Sequence, residues 1–508
     1  MKKFTFAVLL LAGSLSTLAQ LPDPILINEG LIAGKKASNS NVMVYRGIPY
    51  AAPPIANNRW RPPEPPASWS GIRDATNFGP RCVQGGFAPG ASQPLSSEDC
   101  LYLNVFTPAN SQDELLPVMM WIHGGGFFTG TASSNQYDSQ HLAAKGAVVV
   151  TINYRLGTFG FFAHPELTEE SPNNSSGNYA MLDAIAALEW IYENVAAFGG
   201  DPTNVTVFGE SAGGVAVSAL TASPLARGLV HRAILQSQTE VIGLGFTSSP
   251  QPTLAEAEAA GLQQMEAFGA SSLAELREAS AQAILENFPT GGRVIVDGWF
   301  LPKQIAQVYE DNDQHPIYLM AGSNRDEANF FGIGAQSLQQ YEQIAGELFG
   351  DLAEEFKALY PATDAASADL AIKQAYNDEM AWLPRKLAKH QADQGFSSYV
   401  YFFDRVPPGT SRGATHVAEL AYVFNQWDQH PEWHEADRAL GNAMSQYFVN
   451  FARSSRVNGQ GLPAWPGFIE NETGNVIILG EEIRTESEMV PSSQVMEFFD
   501  QVHQSLLE

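Results

Sequence analysis

The sequence predicts an α/β fold, built on a large and mostly parallel central sheet with helices on both faces. Two continuous apolar runs, Pro117–His123 and Ala147–Tyr154, have the composition of strands buried on both sides. Apolar residues recur at helical spacing through Tyr179–Phe198, and a Gly-Gly-Asp-Pro stop follows. Such alternation of strand and helix signals is typical of a parallel sheet covered by helices.

Later segments continue the same alternation. Further strands are predicted over Asn204–Phe208, Arg232–Gln236, Ile317–Ala321 and Ser398–Phe403, and further helices over Ala212–Leu220, Leu254–Phe268 and Leu273–Leu285. No repeat, low-complexity stretch or linker divides the 508 residues. We therefore expect a single domain over residues 20–508.

Residues 1–19 have the features of a signal peptide. Lys2 and Lys3 precede the apolar stretch Phe4–Leu15, and small residues near its end place the cleavage site after Ala19. The apolar stretch is shorter than the roughly 20 residues that a membrane-spanning helix needs. We therefore expect an exported protein, periplasmic or secreted, without a membrane anchor.

Charge restricts the class of partner. The formal net charge is −27, and it becomes −29 when Lys2 and Lys3 leave with the signal peptide. A basic groove for nucleic acid and a polybasic face for anionic lipid are therefore not expected. We expect a small-molecule substrate, and a monomer or weak homo-oligomer.

A nucleophile motif lies at Gly209–Gly213, which reads Gly-Glu-Ser-Ala-Gly. In this pattern the serine, here Ser211, sits on a strained turn between a strand and a helix. The five-residue pattern alone is weak, because glycine and serine are common. The predicted strand before it and the predicted helix after it supply the context that the pattern requires.

A second chemical element is the glycine-rich turn His123–Phe127. The α/β-hydrolases keep backbone N–H donors for a developing oxyanion in this loop and at the residue after the nucleophile, here Ala212. A glycine triplet alone could equally form an ordinary turn. Its position after a predicted strand and ahead of Ser211 favours the functional interpretation, and with it an α/β-hydrolase fold.

A serine nucleophile needs a base and an orienting acid, which follow it along the chain in this fold. Seven histidines follow the motif, namely His231, His315, His390, His416, His430, His434 and His503. His416 lies in a glycine-containing loop just after a predicted strand. Asp326 and Glu327 directly follow another strand, where the acid should emerge, and both are candidates.

Metal chemistry is the alternative for two of these histidines. His430 and His434 have the spacing of metal ligands on a helix, but a solvated helix start is the favoured interpretation. We therefore expect no metal and no organic cofactor.

Ordered motifs along nearly the whole mature chain resemble the type-B carboxylesterases, which include cholinesterases and bacterial para-nitrobenzyl esterases. The motifs are Tyr45-Arg-Gly-Ile-Pro-Tyr-Ala, Ser97-Glu-Asp-Cys-Leu-Tyr-Leu-Asn-Val, His123-Gly-Gly-Gly-Phe, Asn153-Tyr-Arg-Leu-Gly-Thr-Phe-Gly-Phe, Gly177-Asn-Tyr-Ala-Met-Leu-Asp, Phe198-Gly-Gly-Asp-Pro, Gly209-Glu-Ser-Ala-Gly-Gly and Ile234-Leu-Gln-Ser. The resemblance implies Ser211 as nucleophile, Glu327 as acid and His416 as base. It also implies the N–H groups of Gly125, Gly126 and Ala212 as the oxyanion hole.

The resemblance implies structural roles as well. It pairs Arg46 with Glu98 and Arg155 with Asp183 in buried ion pairs. It also joins Cys82 to Cys100, the two cysteines of the chain, which in an oxidising compartment would most simply form one disulfide; two free thiols are the alternative.

Departures from the family pattern bear on specificity. The segment between the cysteines contains no aromatic residue except Phe87, so a cation–π site for choline is not expected there. Gln238 stands where the family usually has glycine. The stretch Glu240–Arg293 resembles the insertion that lines the family's gorge, and we expect it to shape the acyl and alcohol pockets.

These observations predict a serine carboxylic ester hydrolase that acts on a neutral or hydrophobic ester through an acyl-enzyme. An acyltransferase, an amide hydrolase or a polyester hydrolase would use the same residues. A non-catalytic binding protein on this fold is disfavoured, because all three triad residues are present.

Overall fold

The computed structural model describes residues 21–38, 40–85, 96–238, 250–288, 292–468, 474–486 and 491–507. The predicted signal peptide and Phe87 lie outside these residues. The strands, in chain order, are β1 (Ile25–Ile27), β2 (Gly30–Ala33), β3 (Lys35–Lys36), β4 (Met43–Pro49), β5 (Ile72–Asp74), β6 (Arg81–Cys82), β7 (Ser96–Ser97), β8 (Tyr102–Thr107), β9 (Leu116–Ile122), β10 (Val148–Ile152), β11 (Gly200–Glu210), β12 (Arg232–Gln236), β13 (Tyr318–Asn324), β14 (Ser398–Phe403), β15 (Val476–Leu479) and β16 (Ile483–Glu486).

The α-helices follow the same numbering. They are α1 (Gln140–Ala143), α2 (Gly157–Phe161), α3 (Pro165–Glu170), α4 (Tyr179–Asn194), α5 (Ala212–Ala222), α6 (Leu254–Phe268), α7 (Leu273–Glu278), α8 (Ala281–Asn287), α9 (Ile305–Glu310), α10 (Ala328–Phe331), α11 (Leu338–Phe349), α12 (Ala353–Leu359), α13 (Ala365–Asp393), α14 (Leu420–Val423), α15 (Glu435–Ser454) and α16 (Ser493–Leu507).

Within the described part of the chain, eleven strands form one sheet in the order β16-β15-β14-β13-β12-β11-β9-β10-β8-β4-β3. The strands from β15 to β10 in this order run parallel to one another. The strands at the two margins, β16 on one side and β8, β4 and β3 on the other, pair antiparallel. The predicted α/β-hydrolase fold with a large, mostly parallel sheet is confirmed.

The central strands bury both of their faces, which explains their continuous apolar sequences. In β9, Val118, Met120 and Ile122 belong to one apolar cluster, which includes residues of α4 and α5. Met119 and Trp121 belong to a second cluster, with residues of α15. Alternate residues of a strand point to opposite faces, so helices on both sides of the sheet remove every one of these side chains from water.

Element boundaries differ from the predictions at two helices. The helix predicted over Leu273–Leu285 is two helices, α7 and α8, because the Ser280 hydroxyl accepts the Ala283 N–H at 3.1 Å and starts a new helix. The helix predicted over Tyr179–Phe198 ends as an α-helix at Asn194 and continues as a single 3-10 turn.

Two of the three structural pairs implied by the resemblance are present. Cys82 and Cys100 form a disulfide, and Arg155 and Asp183 form a buried ion pair at 2.6 Å. The pairing of Arg46 with Glu98 was wrong. Glu98 instead accepts hydrogen bonds from Nε and Nη2 of Arg59 at 2.7 and 2.6 Å. The guanidinium of Arg46 stacks on the ring of Phe78.

Candidate active site

Ser211 lies on the tight turn between β11 and α5, with φ 57° and ψ −126°. Non-glycine residues rarely adopt this conformation, and the turn exists because the chain is held on both sides. A Cβ on Gly209 would lie 2.5 Å from the Gly213 carbonyl, and one on Gly213 would overlap the Ile122 carbonyl oxygen of β9. The two glycines of the motif are therefore required for this close approach.

The glycine-rich loop after β9 lies directly against this turn. A Cβ on Gly124 would be 2.7 Å from the Glu210 carbonyl oxygen and 3.1 Å from Ser211 Cβ. Gly125 and Gly126 have φ values of 108° and 63°. The loop therefore lies against the turn of the predicted nucleophile, and α5 begins at Ala212, directly after Ser211. The oxyanion role of the Gly125, Gly126 and Ala212 N–H groups stays a prediction.

The predicted acid and base are in direct contact. Nδ1–H of His416 donates to Glu327 Oε2 at 2.6 Å, and both side chains are buried. The other oxygen of Glu327 accepts the Asn324 N–H at 2.8 Å. Asp326, the second candidate for the acid, points elsewhere and accepts the Ala414 N–H at 2.7 Å. The structure therefore brings Glu327, and not Asp326, to the histidine.

The other ring nitrogen of His416 faces the nucleophile turn. Nε2 makes no hydrogen bond within the described residues and lies 3.2 Å from Oε1 of Glu210, the residue before Ser211. Burial, reinforced by the nearby Glu327 carboxylate, raises the pKa of the Glu210 carboxyl well above its usual range. Glu327 and Glu210 therefore lie at the two different ring nitrogens of His416.

A third carboxyl, Glu419, completes the buried surroundings of the histidine. It accepts hydrogen bonds from Gln236 Nε2 at 3.2 Å and from Asn324 Nδ2 at 2.5 Å. Burial, and then the proximity of Glu210, raise the pKa of Glu419 to about 8. The sequence prediction missed both carboxyls. Glu210 could have been noticed inside the nucleophile motif, whereas nothing distinguishes Glu419 among the 55 acidic residues.

Three exposed aromatic side chains lie beside His416 or the glycine-rich loop, and the sequence prediction missed them too. The rings of Phe330 and Phe331, on α10, have centroids 5.3 and 4.6 Å from that of His416. They are 42% and 43% exposed. Phe128, 43% exposed, follows the glycine-rich loop and lies against Gly126. Large exposed rings beside buried polar groups indicate an apolar surface for a ligand.

The gorge-lining role expected of residues 240–293 stays a prediction. Leu285 and Phe288, at the end of α8, line a small cavity together with Phe128. Residues 239–249 and 289–291 of this stretch lie outside the described residues.

The structure separates the other histidine candidates from this site. Nδ1 of His430 lies 2.9 Å from Glu432 Oε1. His434 precedes α15, and its backbone N–H donates to the Asp437 carboxylate at 3.0 Å. Among the described residues, no group of three His, Cys, Asp or Glu side chains has a geometry that could hold a metal ion. In the same part of the chain, no helix is long and apolar enough to span a bilayer.

Comparison with known proteins identifies the family of this chain. A family model, described as the carboxylesterase family, matches residues 23–496. The fumonisin B1 esterase of Sphingopyxis macrogoltabida is 35% identical over 499 residues, which cover 93% of this chain and 89% of that protein. The para-nitrobenzyl esterase of Bacillus subtilis is 33% identical over 482 residues, 89% of this chain and 94% of that protein.

Solved structures give the same result. A PNB esterase structure superimposes with a TM-score of 0.79 at 32% identity, covering 94% of this chain and 99% of that chain. A thermophilic PNB esterase superimposes with a TM-score of 0.81 at 32% identity and the same coverage.

Proposed function

Because this chain belongs to the carboxylesterase family, we propose that it cleaves its ester through a covalent acyl-enzyme on Ser211. The protein is a carboxylesterase. The observation that carries the proposed mechanism is the contact between Glu327 and His416, made where the free ring nitrogen of the histidine faces the Ser211 turn. That arrangement supplies a base with an orienting acid beside a strained serine.

In the first step, His416 Nε2 takes the proton of the Ser211 hydroxyl as Oγ bonds to the ester carbon. The carbonyl oxygen becomes an oxyanion, which accepts hydrogen bonds from Gly125, Gly126 and Ala212. The intermediate collapses, the carbon–alcohol bond breaks, and His416 returns the proton to the leaving alkoxide. Glu327 stabilises the imidazolium while it exists.

In the second step, water takes the place of the alcohol. His416 removes a proton from the water as its oxygen attacks the acyl carbon, and the same oxyanion donors stabilise the second intermediate. The bond to Ser211 Oγ breaks, the proton goes to the serine, and the free acid leaves.

The proposed substrate is a neutral or hydrophobic ester. The exposed rings of Phe128, Phe330 and Phe331 give an apolar surface beside Gly126 and His416. The net charge of −27 repels anions at long range. The relatives are named for different esters, and the ester bond is the feature that their names share.

The test compares the mature protein with Ser211→Ala on para-nitrophenyl esters of increasing acyl length. We expect turnover to fall at least about 1,000-fold in the variant, because both covalent steps require the hydroxyl. Ser445→Ala is the matched control. Among the described residues, this buried hydroxyl bonds only to carbonyls of its own helix α15, so its loss should not affect turnover. Undiminished turnover in Ser211→Ala would contradict the proposal.

Adding competing alcohols to the assay separates hydrolysis from acyl transfer, because an acyltransferase would yield new esters.

We also propose that the protein is exported with cleavage after Ala19. The Cys82–Cys100 disulfide supports this location, because such bonds persist in oxidising compartments. Expression with the native leader should give a periplasmic or secreted protein whose first residue is Gln20, measured by N-terminal sequencing. Ala19→Arg should block cleavage, and a cytoplasmic, uncleaved wild type would refute the proposal.

A further inference from the structure

Asn324, the last residue of β13, touches both loops that carry the acid and the base. It is fully buried. Its backbone N–H donates to Glu327 Oε1 at 2.8 Å. Its side-chain Nδ2 donates to the carbonyl oxygens of Thr415 and His416 at 2.8 and 3.0 Å.

We infer that Asn324 is a positioning residue that fixes the histidine relative to its acid. The inference rests on the proposed function, in which Glu327 and His416 act as a pair. Asn324 does not touch the ring of His416, so it acts through the backbone that carries the ring. The His416–Glu327 contact spans two separate loops. Asp326 and Ala414 join these loops next to the acid, and the bonds of Asn324 join them at the backbone that carries the His416 ring.

The amide of Asn324 is suited to this role because all of its nearby acceptors are buried. Its Nδ2 also donates to Glu419 Oε2 at 2.5 Å, so two hydrogens serve three acceptors. Without these donors, the His416 carbonyl oxygen would lose its hydrogen bond in the interior, and the Thr415 carbonyl oxygen would keep only the Ala418 N–H at 2.9 Å. The loop would then move to find another partner for the His416 carbonyl. A displacement of the base by about 1 Å is enough to lower a rate about 100-fold.

The experiment is Asn324→Ala in the full mature protein, assayed on a para-nitrophenyl ester. We expect kcat to fall about 100-fold while KM stays within about 3-fold, because the ester pocket is untouched and only the alignment of the base is lost. The rate at which a neutral organophosphate ester modifies Ser211 should fall in parallel with kcat, since that reaction uses the same base.

Asn104→Ala is the matched control. Asn104 is buried in β8 of the same sheet, where its Nδ2 donates to Thr151 Oγ1 at 3.0 Å and its Oδ1 accepts the Gly47 N–H at 3.1 Å. It contacts neither catalytic loop. This variant should lose thermal stability but keep kcat within about 3-fold of the wild type, so loss of a buried amide alone is separated from loss of positioning.

The outcomes distinguish the inference from the proposed function. If Ser211→Ala retains turnover, the proposed function fails. If Ser211→Ala is inactive while folded Asn324→Ala keeps the wild-type kcat, only the positioning role fails. Asn324→Ser is the second variant, to be used if the alanine variant does not fold. It loses the same reach to Thr415 and His416, and wild-type kcat in it would equally overturn the inference.

Discussion

At Ser211 the backbone is held in a strained conformation. A φ of 57° costs a serine about 1 kcal/mol or more, and the neighbouring elements must offset that cost. The Ser211 N–H donates to the Gln236 carbonyl at 2.9 Å, which ties the turn to β12. Helix α5 is buried along its whole length behind the turn. The packing of α5 therefore holds the serine in place.

Gly213→Ala should damage this turn. The added Cβ would overlap the Ile122 carbonyl oxygen, which belongs to a central strand and cannot move aside. We expect at least about a 100-fold loss of kcat/KM and a lower Tm, measured by ester assay and thermal unfolding. Gly346→Ala is the control. It lies in α11 with open space around it, so it should be neutral or stabilise by up to about 1 kcal/mol. Equal behaviour of the two variants would contradict the requirement for glycine.

Phe331→Ala should change which ester is preferred. The exposed ring lies 4.6 Å from that of His416, so it can contact an apolar part of a bound ester. Losing such a contact is worth about 1–3 kcal/mol. We expect the ratio of kcat/KM values for long and short acyl chains to change roughly 10-fold. Phe78→Ala, which removes a partly exposed ring stacked on Arg46, should leave the ratio unchanged. An unaltered ratio in Phe331→Ala would place the substrate elsewhere.

At the scale of elements, parallel strands deliver the reactive groups to one edge of the sheet. The loops after β9, β11, β13 and β14 carry the proposed oxyanion donors, nucleophile, acid and base, respectively. Carboxyl ends of parallel strands meet at the same edge, so groups far apart in sequence converge there. Apolar runs mark strands, which is why these positions could be predicted from the sequence.

Side-chain choices inside those loops could not be predicted in the same way. Composition did not separate Asp326 from Glu327, because the direction of each side chain depends on the turn that leads into α10. Glu98 pairs with Arg59 rather than Arg46. Arg59 also donates to the Leu276 carbonyl of α7, so the α7–α8 segment helps to hold it beside Glu98. Long-range packing of this kind leaves no local signal in the sequence.

Arg59 anchors the break between α7 and α8 to the segment that carries the disulfide. Its Nη1 donates to the Leu276 and Ala279 carbonyls at 2.8 Å each, while Nε and Nη2 hold Glu98. Arg59→Lys keeps the positive charge but loses the planar set of guanidinium N–H donors. The substitution should lower the free energy of unfolding by about 2–4 kcal/mol. Arg61→Lys is the control, because its pair with Glu170 is partly exposed and worth about 0–1 kcal/mol. Denaturant unfolding measures both, and equal losses would refute the anchoring role.

For the molecule as a whole, acidity on the surface and acidity in the interior have different consequences. The chain has 55 acidic and 28 basic residues, so its surface is strongly negative and repels other anions. The buried carboxyls respond to pH in the opposite way to a paired surface carboxylate. Glu210 and Glu419 have raised pKa values, so folding favours their neutral forms. The free energy of unfolding must therefore depend on pH through the ionisation of Glu210 and Glu419.

Glu419→Gln tests that dependence. The folded chain holds the Glu419 proton up to a pKa of about 8, whereas the unfolded chain releases it near the ordinary value of 4.5. Its contribution to stability is complete below about pH 4.5 and is lost as pH rises toward 8, by at most about 1.4 kcal/mol per pH unit. Glutamine cannot ionise and lacks this loss, so the Tm of the variant minus that of the wild type should increase from pH 5 to pH 8. Glu482→Gln, at an exposed position, should give a difference that does not vary with pH. A constant difference for Glu419→Gln would mean that this carboxyl ionises normally in the folded protein.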